Sequence, residues 1–406
     1  MSTFTLTDAA IERALAPGAD VAPPQDFTRQ IAASIAAQPR RSRLALLNPF
    51  AWPRMAPRMT QLLLVLLLVV MLIVGAIAAA SLVRRGTGNG EVIVASGTEL
   101  LAIDPQTGVS RRLLNADSVI FGVARSGDGR LISFWTRTSQ GTKLEVSDAN
   151  GGNRRRIAEN VIPSPVGPGQ IDVWSPDGRF LAAGVLVSGV GRILVVDVAS
   201  GAGQVVGPQG AGNPLWSPDG TLLAFSYSPE GQAVVAVMHP DGSGVRTVSG
   251  DLGVLNASGV NNWSPDGIWV YFGAERNNFN ESHIYRAHVA DGYSEQLTFD
   301  FVTAAPALSP DGKQVAYSEW ERSVGIQHLN IMDADGSNQR RLLTSALNYG
   351  WSNDSQFLLA EWRPIGADFE LLILRPDGTD SRTLMTFEGG CRAACAQNLG
   401  WGQPRP

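Results

Sequence analysis

Trp-Ser-Pro-Asp-Gly, first met at residues 174–178, contains the tetrapeptide that decides how this chain is organised. Ser-Pro-Asp-Gly occurs four times, at Ser175–Gly178, Ser217–Gly220, Ser264–Gly267 and Ser309–Gly312. Degenerate copies stand at Arg125–Gly129 and Trp351–Ser355, and Trp401-Gly402 begins a truncated one. Successive copies start 42 to 50 residues apart, so the chain contains an internal repeat.

Each repeat supplies four predicted β-strands. Pro-Asp-Gly is a turn sequence, because Pro presets one backbone angle, Asp hydrogen-bonds local amides and Gly accepts a positive φ. In a well-preserved repeat, strands at 314–320 and 328–334 follow the tetrapeptide, and after a turn at 333–338 comes a strand at 340–343. These are the second, third and fourth strands of the repeat, and the first strand precedes the tetrapeptide. A period of about 45 residues with four strands is typical of one blade of a β-propeller.

The two ends of the repeat region complete one blade between them. Residues 91–114 match the last three strands of a repeat, and residues 398–403 match the first strand. We therefore predict an all-β fold over 91–406, a seven-bladed β-propeller closed by its N- and C-terminal strands. A six-bladed propeller is the alternative.

These motifs resemble the TolB-type, or WD-like, β-propeller repeat. Its signature is a Trp/Leu-Ser-Pro-Asp-Gly turn followed by an Ala-Phe/Tyr-Ser strand and an Asp-Gly hairpin. The resemblance covers roughly residues 91–403, with degenerate first and last repeats. The best-known members of this family have six blades, which is the reason for the six-bladed alternative.

The repeated turn residues have a structural and a chemical interpretation. The aspartates have the chemistry of calcium ligands or catalytic acids, but an Asp between Pro and Gly in every well-preserved blade is what a turn requires. The tryptophans fit aromatic wedges packed between neighbouring sheets. We assign a structural role to these repeat residues: Trp174, Asp177, Gly178, Trp216, Asp219, Gly220, Trp263, Asp266, Gly267, Asp311, Gly312 and Trp351.

The sequence predicts no catalytic, cofactor or metal site. The segment 333–338 begins like a calcium loop, but Leu343 stands near the position where that loop places a Glu, and a hairpin turn explains the segment equally well. His283 and His288 are five residues apart in one predicted strand, so they point to opposite faces. No Gly-x-Ser-x-Gly pentapeptide is present, which argues against a serine hydrolase.

The charge of the chain argues against nucleic acid as a partner. The 406 residues contain 32 Lys and Arg against 37 Asp and Glu, a net charge of −5, so phosphate backbones have no general attraction to the molecule. Charged residues make up only 17 % of the chain and Gly is frequent, with 44 copies. This composition favours strands and turns over a coiled coil or a disordered chain.

A hydrophobic segment divides the chain. Residues 61–83 contain no charged side chain and, at about 1.5 Å per residue, are long enough to cross the roughly 30 Å hydrocarbon core of a bilayer. We predict an uncleaved transmembrane helix over 60–83, in preference to a buried core helix or a signal peptide, followed by a linker over 84–90. Arginines are more frequent before this segment than after it, which places the N-terminus in the cytoplasm and the propeller outside.

Residues 1–59 form a predicted cytoplasmic stub, partly disordered, with short helical patterns over 8–16 and 25–38. Such helices are marginal alone, so the stub binds a cytoplasmic protein, lies on the membrane or remains loose. The layout of stub, span and outer domain is similar to that of membrane-anchored anti-sigma regulators. Their His-x3-Cys-x2-Cys zinc motif is missing, because no Cys or His precedes His239.

The two cysteines, Cys391 and Cys395, lie in the connection that leads into the closing strand. In an oxidising compartment they form a local disulfide, and two free thiols are the alternative. A metal pair is disfavoured because no His or further Cys adjoins them.

Three functions follow from these observations as hypotheses. The first is a membrane-anchored scaffold of the bacterial cell envelope that binds a protein, peptide or glycan at the propeller loops and is not an enzyme. The second is a transmembrane signalling regulator with the propeller as its sensor. The third is a propeller-type hydrolase or lyase. The motifs leave the ligand and the binding face open.

Overall fold

The structure, a computed structural model, describes residues 90–401 except for 140, 160, 163–173, 229–231, 251–254, 277–281, 300–302, 322, 364–367 and 388–398. The predicted stub (1–59), the predicted transmembrane helix (60–83), Cys391 and Cys395 lie outside the described residues. Within the described part, no helix is long and apolar enough to cross a membrane.

The described residues form seven antiparallel sheets of four strands, and each sheet is one blade. Blade 1 contains β1 (Val92–Ser96), β2 (Glu99–Ile103), β3 (Ser110–Asn115) and β28 (Leu399–Trp401). Blade 2 contains β4 (Val119–Arg125), β5 (Leu131–Thr138), β6 (Gly141–Asp148) and β7 (Arg155–Glu159). Blade 3 contains β8 (Val161–Ile162), β9 (Phe180–Val187), β10 (Val190–Asp197) and β11 (Gly203–Val206).

The other four blades repeat this order. Blade 4 contains β12 (Gly212–Trp216), β13 (Leu223–Tyr227), β14 (Val234–Met238) and β15 (Arg246–Thr247). Blade 5 contains β16 (Leu255–Trp263), β17 (Trp269–Arg276), β18 (Ser282–His288) and β19 (Ser294–Gln296). Blade 6 contains β20 (Thr303–Leu308), β21 (Gln314–Glu321), β22 (Ile326–Asp333) and β23 (Arg340–Thr344). Blade 7 contains β24 (Ala346–Trp351), β25 (Leu358–Trp362), β26 (Phe369–Leu374) and β27 (Arg382–Phe387).

Blade 1 is closed by strands from both ends of the repeat region. β28 pairs antiparallel with β1, and Val92 lies opposite Trp401. The pairing supplies the innermost strand that the N-terminal part of the region lacks, so the ring has no open blade. The prediction of seven blades is confirmed, and the six-bladed alternative is wrong.

The core of the propeller lies between the blades. At the interface of blades 4 and 5, Val235 and Val237 of β14 belong to the same buried cluster as Phe272 and Ala274 of β17. Both faces of a blade are covered by its neighbours, so strands in the middle of a blade are apolar on both sides. In β1, for example, Val92 to Ala95 are all buried.

Candidate functional site

The Ser-Pro-Asp-Gly turns share one hydrogen-bond arrangement. In blade 3 the Ser175 hydroxyl donates to Asp177 Oδ1 over 2.5 Å and accepts from the Phe180 amide over 2.8 Å. Equivalent serine–aspartate bonds occur at Ser126–Asp128, Ser217–Asp219, Ser264–Asp266, Ser309–Asp311 and Ser352–Asp354. The serine therefore ties the aspartate to the start of the second strand in six blades.

The fourth residue of the turn has a left-handed backbone. Gly178, Gly220, Gly267 and Gly312 have φ between 69° and 73°. Glycine adopts this conformation without strain, and Ser355 takes the position in blade 7 at a φ of 60°. Neighbouring turns also touch, since a Cβ on Gly312 would lie 2.9 Å from Pro265 Cδ of the preceding blade.

In four blades a buried tryptophan directly precedes the turn. Trp174, Trp216, Trp263 and Trp351 are 5 to 8 % exposed. The indole Nε1 of Trp263 donates to the Leu215 carbonyl of the preceding blade over 3.1 Å, and that of Trp351 donates to the Ala307 carbonyl over 2.7 Å. These two indoles thus join neighbouring blades by a hydrogen bond as well as by packing.

One face of the propeller, which we call the turn face, carries two turns from every blade. Strand direction alternates within a blade, so the turn after the first strand and the turn after the third strand lie at the same end. Between blades 3 and 4, four such turns enclose a cavity of about 710 Å³. Its lining includes Asp177, Trp216, Asp219 and Gly220 from the predicted turn residues, together with Phe180, Val195, Asp197, Gln204, Pro240 and Asp241.

The apolar part of this cavity contains a stacked aromatic pair. The rings of Phe180 in blade 3 and Trp216 in blade 4 have centroids 6.3 Å apart and planes inclined by 28°. The Arg179 guanidinium lies over the Phe180 ring, 4.8 Å from its centroid, and its Nε donates to Asp197 Oδ2 over 2.9 Å. The Ser200 amide and Arg179 lower the pKa of Asp197 to about 2.

The polar part of the cavity carries ionised carboxylates. In Asp177, Asp219 and Asp241 a serine hydroxyl of the same turn and a backbone amide hold the pKa of the carboxyl below its usual value. Within the described residues, no Lys, Arg or His forms an ion pair with any of the three. In Asp177 and Asp241 the turn occupies Oδ1, and Oδ2 accepts no hydrogen bond from the described part of the chain.

A second cavity, of about 390 Å³, is lined by residues of the turns nearest the centre. It brings Trp174, Trp216 and Trp263 together with Pro176 and Pro218. The remaining predicted turn residues, Gly178, Asp266, Gly267, Asp311, Gly312 and Trp351, line neither cavity. Cys391 and Cys395 lie outside the described residues.

The segment 333–338 is a hairpin turn between β22 and β23. Asp335 Oδ1 accepts from the Ser337 amide and hydroxyl, and Asn338 donates to Asp333 Oδ2 over 2.6 Å. These side chains therefore hydrogen-bond within their own turn. In the part of the chain that the structure describes, no group of three His, Cys, Asp or Glu side chains is arranged to hold a metal ion.

The residues of the larger cavity that sequence reasoning missed include Phe180, Asp197, Gln204, Pro240 and Asp241. Phe180 follows its turn at a position that is also aromatic in blades 5 and 7, where the residues are Trp269 and Phe357. A search for shared motifs therefore does not single it out as a cavity residue.

The family of the chain follows from comparison with known proteins. The TolB beta propeller domain family matches residues 99–396, which is most of the chain. The chain belongs to this family, so the resemblance inferred from the repeat motifs is confirmed.

Individual relatives match a smaller part. The Tol-Pal system protein TolB of Anaeromyxobacter dehalogenans (strain 2CP-C) is 32 % identical over 119 residues, which are 28 % of this chain and 26 % of that protein. The match thus spans about a quarter of the length of this relative.

Solved structures share the fold at low sequence identity. Oligogalacturonate lyase from Vibrio parahaemolyticus has a TM-score of 0.55 and 14 % identity, over 70 % of this chain and 90 % of that chain. A puromycin-hydrolyzing peptidase of Mycobacterium tuberculosis has a TM-score of 0.51 and 16 % identity, over 73 % of this chain and 53 % of that chain. At these identities the likeness shows the fold alone.

Proposed function

We propose that this protein is a membrane-anchored, extracytoplasmic propeller that binds a protein partner in the bacterial cell envelope through its turn face and catalyses no reaction. The observation that carries the proposal is the cavity between blades 3 and 4. It combines a stacked Phe180–Trp216 pair with ionised carboxylates, a combination suited to an amphipathic side chain of a partner. Membership of the TolB family supports a role in the envelope.

The surroundings of the histidines support a non-catalytic role. His288 Nδ1 lies 2.6 Å from Asp291 in an exposed turn, and the buried His328 Nε2 lies 2.8 Å from Glu321. His239 Nδ1 lies 3.3 Å from the Thr221 carbonyl. Within the described residues, none of these three imidazoles hydrogen-bonds a hydroxyl or thiol that it would activate.

The anchor is proposed from the sequence. Residues 61–83 carry no charge, and the arginines before them outnumber those that follow closely, which favours a span with the N-terminus inside. Fusion of the full chain to alkaline phosphatase or to a green fluorescent protein at its C-terminus tests this topology. We expect an active phosphatase and a dark fluorescent protein, and the reverse pattern would contradict the proposal.

Partner binding is tested by photo-crosslinking in the envelope. A photoreactive residue replaces Thr221, which is exposed beside the cavity, in the full chain. The matched control carries it at Val324, an exposed residue of the turn between β21 and β22 at the opposite end of the blades. We expect one protein to cross-link at position 221 and not at 324. Cleavage of model peptides or glycans by the purified chain would instead favour the hydrolase or lyase hypothesis.

A further inference from the structure

One position at the start of the outermost strand carries arginine in five of the seven blades. Strand pairing identifies the equivalent residue in every blade. In each case this residue lies opposite the third-strand residue that stands two positions before the first residue of the turn. From blade 1 to blade 7 the residues are Arg111, Arg155, Gln204, Arg246, Glu295, Arg340 and Arg382. Blades 3 and 5 are the exceptions.

Three of these arginines donate a hydrogen bond to a backbone carbonyl of the next blade. Arg246 donates to the Val289 carbonyl, and Arg340 donates to the Pro376 carbonyl. Arg382 donates to the Gln106 carbonyl over 3.2 Å. In each case the acceptor lies in the turn after the third strand of the following blade. We call such a residue a cross-blade arginine.

Blade 5 makes the same connection from a neighbouring strand. Its Glu295 pairs with Arg286, and Arg286 donates to the Ala334 carbonyl of blade 6 over 3.1 Å. The acceptor again lies in the turn after the third strand. A guanidinium therefore reaches this turn at four consecutive interfaces, from blades 4 and 5 around to blades 7 and 1.

The interface of blades 3 and 4 lacks this guanidinium. Gln204 takes the arginine position and lines the 710 Å³ cavity, and its side chain makes no hydrogen bond to blade 4 within the described residues. The carbonyl at the acceptor position belongs to Pro240, which also lines the cavity. In the described part of the chain, Pro240 O accepts no hydrogen bond. The cavity thus occupies the place that a guanidinium fills at four other interfaces.

We propose that this cavity binds the guanidinium of an arginine side chain from a partner protein, which replaces the cross-blade arginine missing from blade 3. The inference rests on the proposed function, because it names the chemistry by which the turn face recognises its partner. The Pro240 carbonyl and the free Oδ2 atoms of Asp177 and Asp241 accept its N–H groups. The Trp216 ring offers the guanidinium an aromatic surface.

Arginine is preferred to lysine for two reasons. Its planar fork donates to several acceptors at once, and it stacks on aromatic rings, whereas an ammonium is a strongly hydrated point charge. The charge of the cavity selects a cation over a neutral amide. Arg179 is already paired with Asp197, and both oxygens of Asp219 accept hydrogen bonds in their own turn, which leaves the carboxylates of Asp177 and Asp241 for the ligand.

The test is calorimetric titration of the full chain in detergent with three blocked tripeptides, Ala-Arg-Ala, Ala-Lys-Ala and Ala-citrulline-Ala. We expect the arginine peptide to bind about tenfold or more tightly than the citrulline peptide, because a charge-assisted hydrogen bond is lost. Lysine should be intermediate. Equal affinity for all three peptides, or no binding of the arginine peptide, would overturn the inference.

Two variants locate the site. Gln204→Arg supplies the missing guanidinium from the chain itself and should weaken binding of the arginine peptide about tenfold or more, while Asp241→Asn should weaken it several-fold with the turn retained. Gln314→Arg, the same substitution at the start of β21 on blade 6, is the control and should leave the affinity unchanged. Unchanged affinity in both cavity variants would overturn the inference.

The outcome is separable from that of the proposed function. If the wild-type chain ignores the arginine peptide but still cross-links a partner at position 221, arginine recognition is wrong and partner binding stands. If it binds the peptide but cross-links no protein, the cavity chemistry is right and the proposed envelope role fails.

Discussion

The interface between blades 3 and 4 and the interface between blades 6 and 7 carry different residues at one equivalent position of the outermost strand. Arg340 of blade 6 donates to the Pro376 carbonyl of blade 7, whereas Gln204 of blade 3 makes no such bond to Pro240 within the described residues. The two acceptors occupy equivalent turns. A cavity of about 710 Å³ lies at the first interface.

If the cavity is the binding site that we propose, the comparison indicates how a repeat fold obtains such a site. Every blade must conserve the turn and the apolar strands, because the ring closes only if neighbouring sheets pack. A position at the outer rim contributes to one interface alone. Its substitution therefore opens one groove and leaves the rest of the ring intact, so the site is formed by an exception to the repeat.

The largest effect is expected where closure depends on a single strand. Truncation after residue 398 removes β28 and leaves the edge of β1 unpaired. We expect a loss of at least about 3 kcal/mol in the free energy of unfolding, together with self-association. Thermal unfolding by circular dichroism and light scattering measures both. An unchanged midpoint would show that blade 1 does not depend on its C-terminal strand.

The next largest effect is a difference in stability between variants of two buried tryptophans. Trp351→Phe removes the indole bond to the Ala307 carbonyl, while Trp174→Phe removes the same volume from an indole whose Nε1 has no partner among the described residues. The first variant should be less stable than the second by about 1–2 kcal/mol, because a buried carbonyl loses its donor. Urea unfolding of both variants gives this difference, and equal losses would contradict it.

A smaller effect on stability is expected when a cross-blade arginine is removed. Arg246→Gln removes the bond to the Val289 carbonyl and should cost about 1 kcal/mol of stability. Arg155→Gln is the control, since the described residues give Arg155 no bond to blade 3. Chemical unfolding of both variants tests the difference. A loss that is the same in both would mean that the cross-blade arginines do not hold the blades together.

The smallest effect is a pH dependence of stability that comes from the interface between blades 3 and 4. The pKa of Asp197 is about 2 in the folded protein and near 3.8 in the unfolded chain. Its carboxylate therefore stabilises the fold fully above pH 4, and this contribution is lost as the pH falls towards 2. The stability difference between wild type and Asp197→Asn should shrink across that range in denaturant titrations. A constant difference would contradict the assignment.

Much of the ring was predictable because its signals are local and repeated. The predicted strands at 314–320 and 340–343 correspond to β21 (Gln314–Glu321) and β23 (Arg340–Thr344). The closing pair of β1 and β28 followed from counting strands at the two ends of the region. Turn chemistry and periodicity determine these features, and neither requires knowledge of distant contacts.

The cavity was not predictable in the same way. Asp177 and Trp216 have the same motif as their counterparts in other blades, so nothing in the motif marks them as lining a groove. The informative residue is Gln204, because it departs from an arginine pattern in strands whose exact register only the pairing reveals. An arginine at this position reaches a carbonyl of the next blade only if the two blades are suitably oriented. The sequence alone does not give the distance between the guanidinium and that carbonyl.

The most direct test of the account is a crystal structure of the Gln204→Arg variant. We predict that the introduced guanidinium lies within hydrogen-bond distance of the Pro240 carbonyl, as the Arg340 guanidinium does from the Pro376 carbonyl, and that it fills the cavity between blades 3 and 4. An introduced side chain that extends into solvent and leaves the cavity at its present volume would contradict it.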